Sequence, residues 1–426
     1  MDRLALRFDL TMGERVHVVG AGLAGLSSAV ELTDKGIAIS LYEAAGYAGG
    51  RTRSLFEPSL ERTIDNGNHL MLSGNWALMA FLEKTGGLGR FHTVTPAVFP
   101  FLDLTDGKRW QVRPNRGPIP WSLIFGSGWV PDAHITEYLR ALRLIWAGEK
   151  TTVAECLRGN GVLWERFWQP LALAVVNTEL DQAAAALLWP VLKETFGRGE
   201  KACRPMIPKV GLSDALINPA LGYLRERGAS IEFNQRLRGL ILESGRVVGL
   251  EFADHRIDVA ADDSVILAVP PLAVTALLPE LGLPIETRAI VNGHFRLPAA
   301  HLGEPLLGLI GGTSEWLFVR GDVVSATVSA ADGIVSEPSE AIAGRMWANI
   351  VDAYNLQDQP LGAYRIIKEK RATFAQTPAQ ERKRPAAVTE QINMYLAGDW
   401  TAIGLPATME GAVRSGSAAA QLICDC

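Results

Sequence analysis

Both ends of the chain show the same order of hydrophobic and polar positions. The run RVHVV at residues 15–19 is short, β-branched and bounded by glycine, which is typical of a buried parallel strand. A helical pattern follows it, and IAISLYE at residues 37–43 predicts a second strand. Near the C-terminus, LAGDWTAIGLPATMEGAVRSG at residues 396–416 predicts a strand, a turn and a small-residue helix.

The middle of the chain predicts helices first and an antiparallel sheet later. Helical patterns dominate residues 76–204, as in DAHITEYLRALRLIWAGE at residues 132–149. A buried strand is predicted at residues 264–269, and strands with one helix follow it. We predict an α/β fold of two interwoven domains. The first domain comprises residues 1–75, 205–274 and 385–426, and the second comprises residues 76–204 and 275–384.

Composition excludes several classes of protein. The chain has 426 residues, 48% of them hydrophobic, and a net charge of -5 without any block of lysine and arginine, so we expect no nucleic-acid partner. Neither a signal peptide nor an apolar run long enough to span a membrane is visible. The four cysteines form no CxxC pair, which predicts reduced thiols, a cytoplasmic protein and no metal site.

One uncharged apolar stretch leaves two interpretations open. GPIPWSLIFGSGWVP at residues 117–131 contains two tryptophans and several aliphatic side chains. It is either a buried loop or core helix, or a lip that contacts the membrane interface, where tryptophan is favoured. The second interpretation predicts a protein peripheral to the inner face of the membrane.

A glycine motif follows the first strand. Its six residues fit GxGxxG, and they are Gly20, Ala21, Gly22, Leu23, Ala24 and Gly25. The first glycine permits a tight turn, the second lets the backbone approach a pyrophosphate, and the third lets helix and strand pack closely. We predict that the helix begins after Gly25 and directs its N–H groups at the phosphates. The first domain is therefore predicted to be of Rossmann type.

The residues after the second strand extend this site. Glu43 ends that strand 18 positions after Gly25, where an acid accepts hydrogen bonds from an adenosine ribose. The pair Gly49-Gly50 and Arg51 follow, offering close backbone approach and donors for phosphate oxygens. These residues alone leave both NAD and FAD open as the cofactor.

Together the motifs resemble the flavin amine oxidase and carotenoid desaturase superfamily. The likeness rests on GxGxxG, Glu43, the GGR pattern, the AVPP segment after residue 266 and the C-terminal LAGDWT and MEGAVRSG. Within it, DNGNHL, ERFWQPLALAVVNT, EWLFVR, SAADG and LAGDWTAIGLPATMEGAVRSG resemble the hydroxysqualene dehydroxylases of bacterial hopanoid pathways. Asn68 stands where that family is expected to have glutamine, which keeps the amide.

The resemblance implies FAD as the cofactor, in a Rossmann-type FAD-binding domain beside a discontinuous substrate domain of mixed sheet and helices. It assigns the pyrophosphate to the glycine motif and Arg51, and the ribityl or a phosphate to Asp399. The first turn of the last helix, from Met409, is expected to face the flavin pyrimidine. The remaining residues that it places at the cofactor are Ala44, Gly50, Gly67, Asn68, His69, Leu237, Ala268, Gly398, Thr408, Glu410 and Gly411.

The implied reaction removes the hydroxyl of hydroxysqualene with a reduced flavin and yields squalene and water. Its substrate is a long apolar isoprenoid, and the external electron donor stays open. The acid that protonates the leaving hydroxyl is not identifiable, although His69, Asn177 and Glu179 are candidates because they are polar groups within apolar stretches. The alternatives are an isoprenoid desaturase, an amine oxidase, or a non-catalytic flavin- or NAD-binding protein at a membrane. Thr408 disfavours an amine oxidase, which usually has tyrosine there.

Overall fold

The computed structural model describes residues 14–117, 130–297 and 303–425. Its strands are β1 (Arg15–Val19), β2 (Ala38–Glu43), β3 (Ser54–Glu57), β4 (Arg62–Asp65), β5 (Met71–Leu72), β6 (Phe91–Thr93), β7 (Phe99–Asp103), β8 (Arg109–Val112), β9 (Pro205–Pro208), β10 (Ser230–Phe233), β11 (Gly239–Glu243), β12 (Arg246–Glu251), β13 (Arg256–Asp258), β14 (Ser264–Leu267), β15 (Thr287–Arg296), β16 (Leu306–Ile310), β17 (Trp316–Arg320), β18 (Val323–Val328), β19 (Tyr364–Phe374) and β20 (Met394–Leu396).

The α-helices are α1 (Leu23–Asp34), α2 (Trp76–Thr85), α3 (Ile135–Tyr138), α4 (Val153–Leu157), α5 (Gln169–Val176), α6 (Leu188–Glu194), α7 (Asn218–Glu226), α8 (Pro271–Leu277), α9 (Ser339–Tyr354), α10 (Pro378–Glu381) and α11 (Met409–Cys424). Short 3-10 and π turns join several of them. The predicted helix at residues 132–149 is instead α3 followed by a 3-10 helix at Leu139–Trp146.

A parallel sheet of five strands supports the first domain, in the order β10-β2-β1-β14-β20. Its strands come from three separate parts of the chain, and β1 pairs with β2 on one side and β14 on the other. Because the strands are parallel, their carboxyl ends meet at one edge, where a ligand of such a sheet binds. That edge carries the glycine motif, Glu43 and the turn after β20.

A second sheet of seven strands runs in the order β19-β15-β18-β17-β16-β7-β8. It is antiparallel apart from the β16–β7 pair. The helix α9 covers one face, where Ile342, Met346 and Ile350 pack in an apolar core with side chains of β15 and β18. On the other side, a second apolar core joins this sheet to the helices of residues 130–196. The α/β fold predicted from the sequence is confirmed by this arrangement of sheets and helices.

The predicted membrane lip at residues 117–131 falls mostly outside the described residues, because positions 118–129 are not among them. In the parts of the chain that the structure describes, none of the helices combines the length and the apolar character needed to cross a membrane.

Candidate active site

The glycine turn after β1 is shaped partly by the protein and partly by open space. Gly20 has φ +108, and a Cβ there would overlap the Ala268 carbonyl; a Cβ on Gly25 would overlap the Gly20 carbonyl. These two glycines are needed for packing at the end of the strand. By contrast, a Cβ on Gly22 would meet no described atom within 4 Å. The space beside Gly22 is therefore where a pyrophosphate fits.

The helix α1 begins earlier than the sequence pattern predicted. It starts at Leu23, inside the glycine motif, because Gly22 is extended and serves as its N-cap. Ala24 and Gly25 consequently belong to its first turn. No side chain among the described residues caps this helix start. Its first N–H groups are free to bind an anion in front of Gly22.

Glu43 holds two backbone segments together at the end of β2. Its carboxylate accepts hydrogen bonds from the N–H groups of Ala21 and Ala45, each at 2.8 Å. Its backbone carbonyl accepts from Gln235, which brings the chain leading to the half-buried Leu237 to this edge. Ala44 is exposed beside it. The carboxylate oxygens keep further lone pairs for a ribose hydroxyl, so the predicted role of Glu43 remains sterically and chemically available.

The GGR segment connects the two ends of the chain. Gly49 donates to the carbonyl of Ala21 at 2.8 Å, which fixes the segment to the glycine turn, and Gly50 lies beside Gly22. Arg51 forms an ion pair with Asp399 at 2.8 Å and donates to the Ala372 carbonyl at 2.7 Å. The Asp399 carboxylate raises the pKa of Arg51. Arg51 and Asp399 thus bind each other, and any contact with a cofactor adds to this pair.

The turn after β20 is organised by an arginine that the sequence patterns did not single out. Arg384 is buried, and its guanidinium donates to the backbone carbonyls of Asp399, Thr401 and Leu405. Its charge is balanced by Glu381 at 2.9 Å. In the sequence it is one of several basic residues around position 383, which is typical of an exposed segment. Here Arg384 fixes the backbone around Gly398 and Asp399.

The start of α11 presents a capped but open first turn. Thr408 is the N-cap, and its hydroxyl accepts from the N–H of Gly411 at 3.1 Å. The first N–H groups of a helix, here those of Met409 and Glu410, lack carbonyl partners within it. The carboxylate of Glu410 points elsewhere: it accepts from the N–H groups at the start of α2 and from Arg414. A flavin ring would therefore meet backbone donors here, rather than that carboxylate.

The helices α1 and α11 pack directly against each other. The hydroxyl of Ser27 donates to the Val413 carbonyl at 3.0 Å. A Cβ on Gly416 would overlap both Ser27 Oγ and the Ala24 carbonyl. Two helices that begin at separate turns thus cross at close range. This crossing and the Arg51–Asp399 ion pair hold the glycine turn and the C-terminal turn together.

A polar row on the seven-stranded sheet meets the DNGNHL segment. The side-chain amide of Asn68 donates to Asn292 Oδ1 at 3.3 Å and to Thr327 Oγ1 at 3.0 Å. Gly67 and His69 lie beside it, and all three are half-buried. Burial lowers the pKa of His69, which leaves the imidazole neutral near pH 7. A neutral imidazole is a weak proton donor, which argues against His69 as the acid.

Asn177 joins α5 to the sheet. It ends the helix with φ 43, its side-chain oxygen accepts from Ala330, and its amide donates to Thr373. The buried side chain therefore uses its oxygen and its amide nitrogen in structural bonds. Glu179, two residues later, is exposed. Its negative charge acts on a second acid, Glu315.

Glu315 is the acidic side chain that the sequence patterns missed. It lies just before β17; its N–H donates to the Thr327 carbonyl at 3.0 Å, and its carboxyl accepts from the N–H of Ser329 at 2.8 Å. Burial, reinforced by Glu179, raises the pKa of Glu315 to about 8. The half-buried side chain keeps some accessible surface. Near pH 7 the carboxyl of Glu315 therefore still carries its proton, and its backbone N–H binds Thr327, whose hydroxyl accepts from Asn68.

Known proteins resemble this chain over nearly its whole length. The family described as flavin containing amine oxidoreductase matches residues 23–424. A hydroxysqualene dehydroxylase of Sinorhizobium fredii is 41% identical over 96% of this chain and 98% of its own length. One from Zymomonas mobilis is 39% identical over 95% of this chain and 98% of its own. Cyclohexylamine oxidase of Brevibacterium oxydans superposes with a TM-score of 0.69 at 14% identity, covering 97% of this chain and 99% of its own, and so shares the fold.

Proposed function

Since the chain belongs to the flavin containing amine oxidoreductase family, we propose that it binds FAD and converts hydroxysqualene into squalene and water. The identity to hydroxysqualene dehydroxylases over nearly the whole of both chains carries this proposal. It distinguishes the proposed substrate from the amines of structural neighbours that share only the fold. Of the motifs quoted for this family, the glycine motif and LAGDWT follow β1 and β20 at the carboxyl edge of the parallel sheet.

The choice of FAD over a mononucleotide rests on the glycine turn. The open space at Gly22 and the N-terminus of α1 suit a pyrophosphate, which FMN lacks. Glu43 lies where the adenosine ribose of a dinucleotide would reach it. The second turn, around Asp399 and Met409, would then meet the ribityl chain and the ring.

For the chemistry, we assign the proton of the leaving hydroxyl to Glu315. The C–O bond of the allylic alcohol breaks as the oxygen takes the proton from the Glu315 carboxyl, and water leaves. Bound reduced flavin would supply the two electrons and the hydrogen that form the new C–H bond. Ser329 then keeps its hydrogen bond to the Glu315 carboxylate, which remains charged until it takes up a new proton from solvent.

An aromatic cluster at the start of β17 suits an apolar, cationic reaction. Trp316 follows Glu315 in the chain, its ring lies 5.4 Å from that of Phe101, and Phe101 stacks on Trp110 at 5.6 Å. Aromatic faces attract cations, and their apolar surroundings exclude water. This cluster would stabilise an allylic cation while it accepts hydrogen.

The test is a single turnover without oxygen. The purified protein, with its flavin reduced by dithionite, is mixed with detergent-dispersed hydroxysqualene. We expect flavin absorbance to return as squalene appears by mass spectrometry, in a one-to-one ratio. A parallel reaction with oxidised flavin and saturated or partly desaturated isoprenoids tests the desaturase alternative. If the isoprenoids gain new double bonds and hydroxysqualene gives no squalene, the protein is a desaturase and the proposed function is wrong.

A water-insoluble substrate also implies work at a membrane surface. We propose a peripheral position on the inner face of the membrane, with an external electron donor that is either a transient NAD(P)H or a partner protein. The C30 hydrocarbon partitions into a bilayer, and the enzyme must collect it there. The predicted contact at residues 117–131 remains a prediction.

A further inference from the structure

An apolar surface outside the active site stands out on the segment after residue 134. Among the described residues, fifteen large apolar side chains are strongly exposed, and five of them lie within positions 135–146. Trp146 is 77% exposed and Leu139 is 57% exposed. We call this group the apolar face; its members are Ile135, Leu139, Leu142, Ile145 and Trp146.

The spacing puts these side chains on one side of the segment. Positions 139, 142 and 145 align in one column of the 3-10 part, and Trp146 lies in the neighbouring column with Arg143; both columns point away from the buried Tyr138 and Leu144. The opposite side is anchored: Tyr138 and Leu144 are buried in the apolar core of the helices. The buried side chains therefore fix the orientation of the segment, and this orientation directs the apolar face toward solvent.

Further bonds fix that orientation. The carboxylate of Glu137 accepts from the N–H groups of His134 and Leu163, at 2.9 and 3.2 Å. Arg140 donates to the Arg158 carbonyl at 2.8 Å. A face held this firmly exposes several large apolar groups to water at a cost, so it is expected to have a partner.

We propose that the apolar face inserts into the surface of an anionic lipid bilayer. Tryptophan and leucine with basic side chains nearby are a usual composition of a segment lying in the membrane interface. Around the face, the exposed cations Arg143 and Lys150 are opposed by Glu149, since Glu137 is used internally. Residues 135–150 carry three basic and two acidic side chains in a protein whose net charge is -5.

A second copy of the chain or another protein fits the face less well. A stable protein interface uses roughly 20–30 residues on each side, whereas the apolar face has five. A fluid bilayer can accommodate so small an apolar face, because its lipids rearrange around the inserted side chains. The argument also rests in part on the proposed function, since a C30 hydrocarbon has to be collected from lipid.

The test is flotation with vesicles of phosphatidylcholine and phosphatidylglycerol. The wild-type holoenzyme is compared with the double variant Leu139→Glu/Leu142→Glu and with the milder Trp146→Gln. Ile392→Glu is the matched control, because Ile392 is 66% exposed at a distant site. We expect the double variant to lose about tenfold or more of its vesicle binding and the control to bind as wild type does. Flavin content and circular dichroism check that each variant is folded.

Three outcomes would overturn the proposal. They are a wild-type protein that does not float, variants that float as well as wild type, and a wild-type dimer that the double variant converts into a monomer. Turnover of detergent-dispersed substrate separates this proposal from the function. A wild-type enzyme that is active in detergent but does not bind vesicles would contradict only the proposed membrane contact. One that binds vesicles without turnover would contradict only the proposed function.

Discussion

Burial has opposite effects on the pKa values of His69 and Glu315, two titratable candidates for the proton donor. It removes the charge from His69 by lowering its pKa, and it removes the charge from Glu315 by raising its pKa to about 8. Only the second change leaves a proton to donate near pH 7. The difference between a base and an acid in the same surroundings thus decides which residue can protonate a leaving hydroxyl.

We predict that Glu315→Gln slows reoxidation of the reduced flavin by hydroxysqualene roughly 10²- to 10⁴-fold at pH 7, because the amide cannot release a proton. In wild type, the rate should fall as pH rises through about 8, where Glu315 loses its proton. Stopped-flow absorbance across pH 6–10 measures both effects, and the variant should lack this decline.

The variant Glu179→Gln distinguishes the role of Glu179 from that of Glu315. Removing its charge should lower the pKa of Glu315, so that the decline begins at a lower pH. A large loss of rate in Glu179→Gln with little change in Glu315→Gln would show that Glu179, and not Glu315, donates the proton.

At the scale of elements, the contact between α1 and α11 sets the relative position of the two half-sites. The helices meet where Gly416 lies against Ser27 and the Ala24 carbonyl. A side chain between them would push the two helices and their N-termini apart. Glycine is needed at position 416 so that the two helices can approach each other, and not because the backbone there has an unusual φ.

We predict that Gly416→Ala lowers the free energy of unfolding by about 1–3 kcal/mol or more, since the added methyl meets a backbone carbonyl that cannot rotate away. Flavin content should fall with it. Gly222→Ala is the control: Gly222 lies within α7, where a Cβ would meet no described atom within 4 Å. Thermal unfolding should show the control unchanged or stabilised by up to about 1 kcal/mol. Equal losses in both variants would contradict the helix contact.

For the whole molecule, buried ionisable groups shape the dependence of stability on pH. His294, on β15 next to the edge strand of the seven-stranded sheet, has its pKa lowered to about 4 by burial. The unfolded chain takes up a proton there below about pH 6.5, whereas the folded protein does not, so stability falls as pH decreases from 6.5 to 4. Glu315 acts in the other direction. Its folded form keeps a proton that the unfolded chain releases above about pH 4.5, so its contribution falls as pH rises to about 8.

We predict that His294→Gln flattens the acid side of this profile. The uncharged amide can keep a hydrogen bond with Ser325, which now contacts the imidazole at 2.7 Å. Between pH 6.5 and 4, wild type should lose on the order of 3 kcal/mol that the variant retains. Chemical denaturation at several pH values measures the difference. Parallel curves for the two proteins would show that His294 does not titrate on unfolding.

The sequence was informative where a function depends on neighbouring residues. Strand β1, the glycine motif, Glu43 and the last helix follow from local patterns, and the family resemblance followed from their combination. The start of α1 was placed too late, because Gly25 was interpreted as part of a turn, whereas packing against Gly20 requires it inside the helix.

The remaining features depend on contacts between distant segments. Glu315 keeps its proton because its carboxyl is buried and lies within reach of the negative charge of Glu179, which is distant in the sequence. Arg384 resembles its exposed basic neighbours until the turn after β20 folds around it. The pattern of residues 135–146 is that of any amphipathic segment, and only the folded structure shows which apolar side chains stay outside.

The close crossing of α1 and α11 has a consequence for how the protein is made. A ribosome adds β1 and the glycine motif first and α11 almost 400 residues later. The phosphate half of the site can form early, but the half that meets the ring does not exist until the last helix has been synthesised. The side of α1 that receives α11 therefore stays uncovered until synthesis ends, although its other side can already pack against α7.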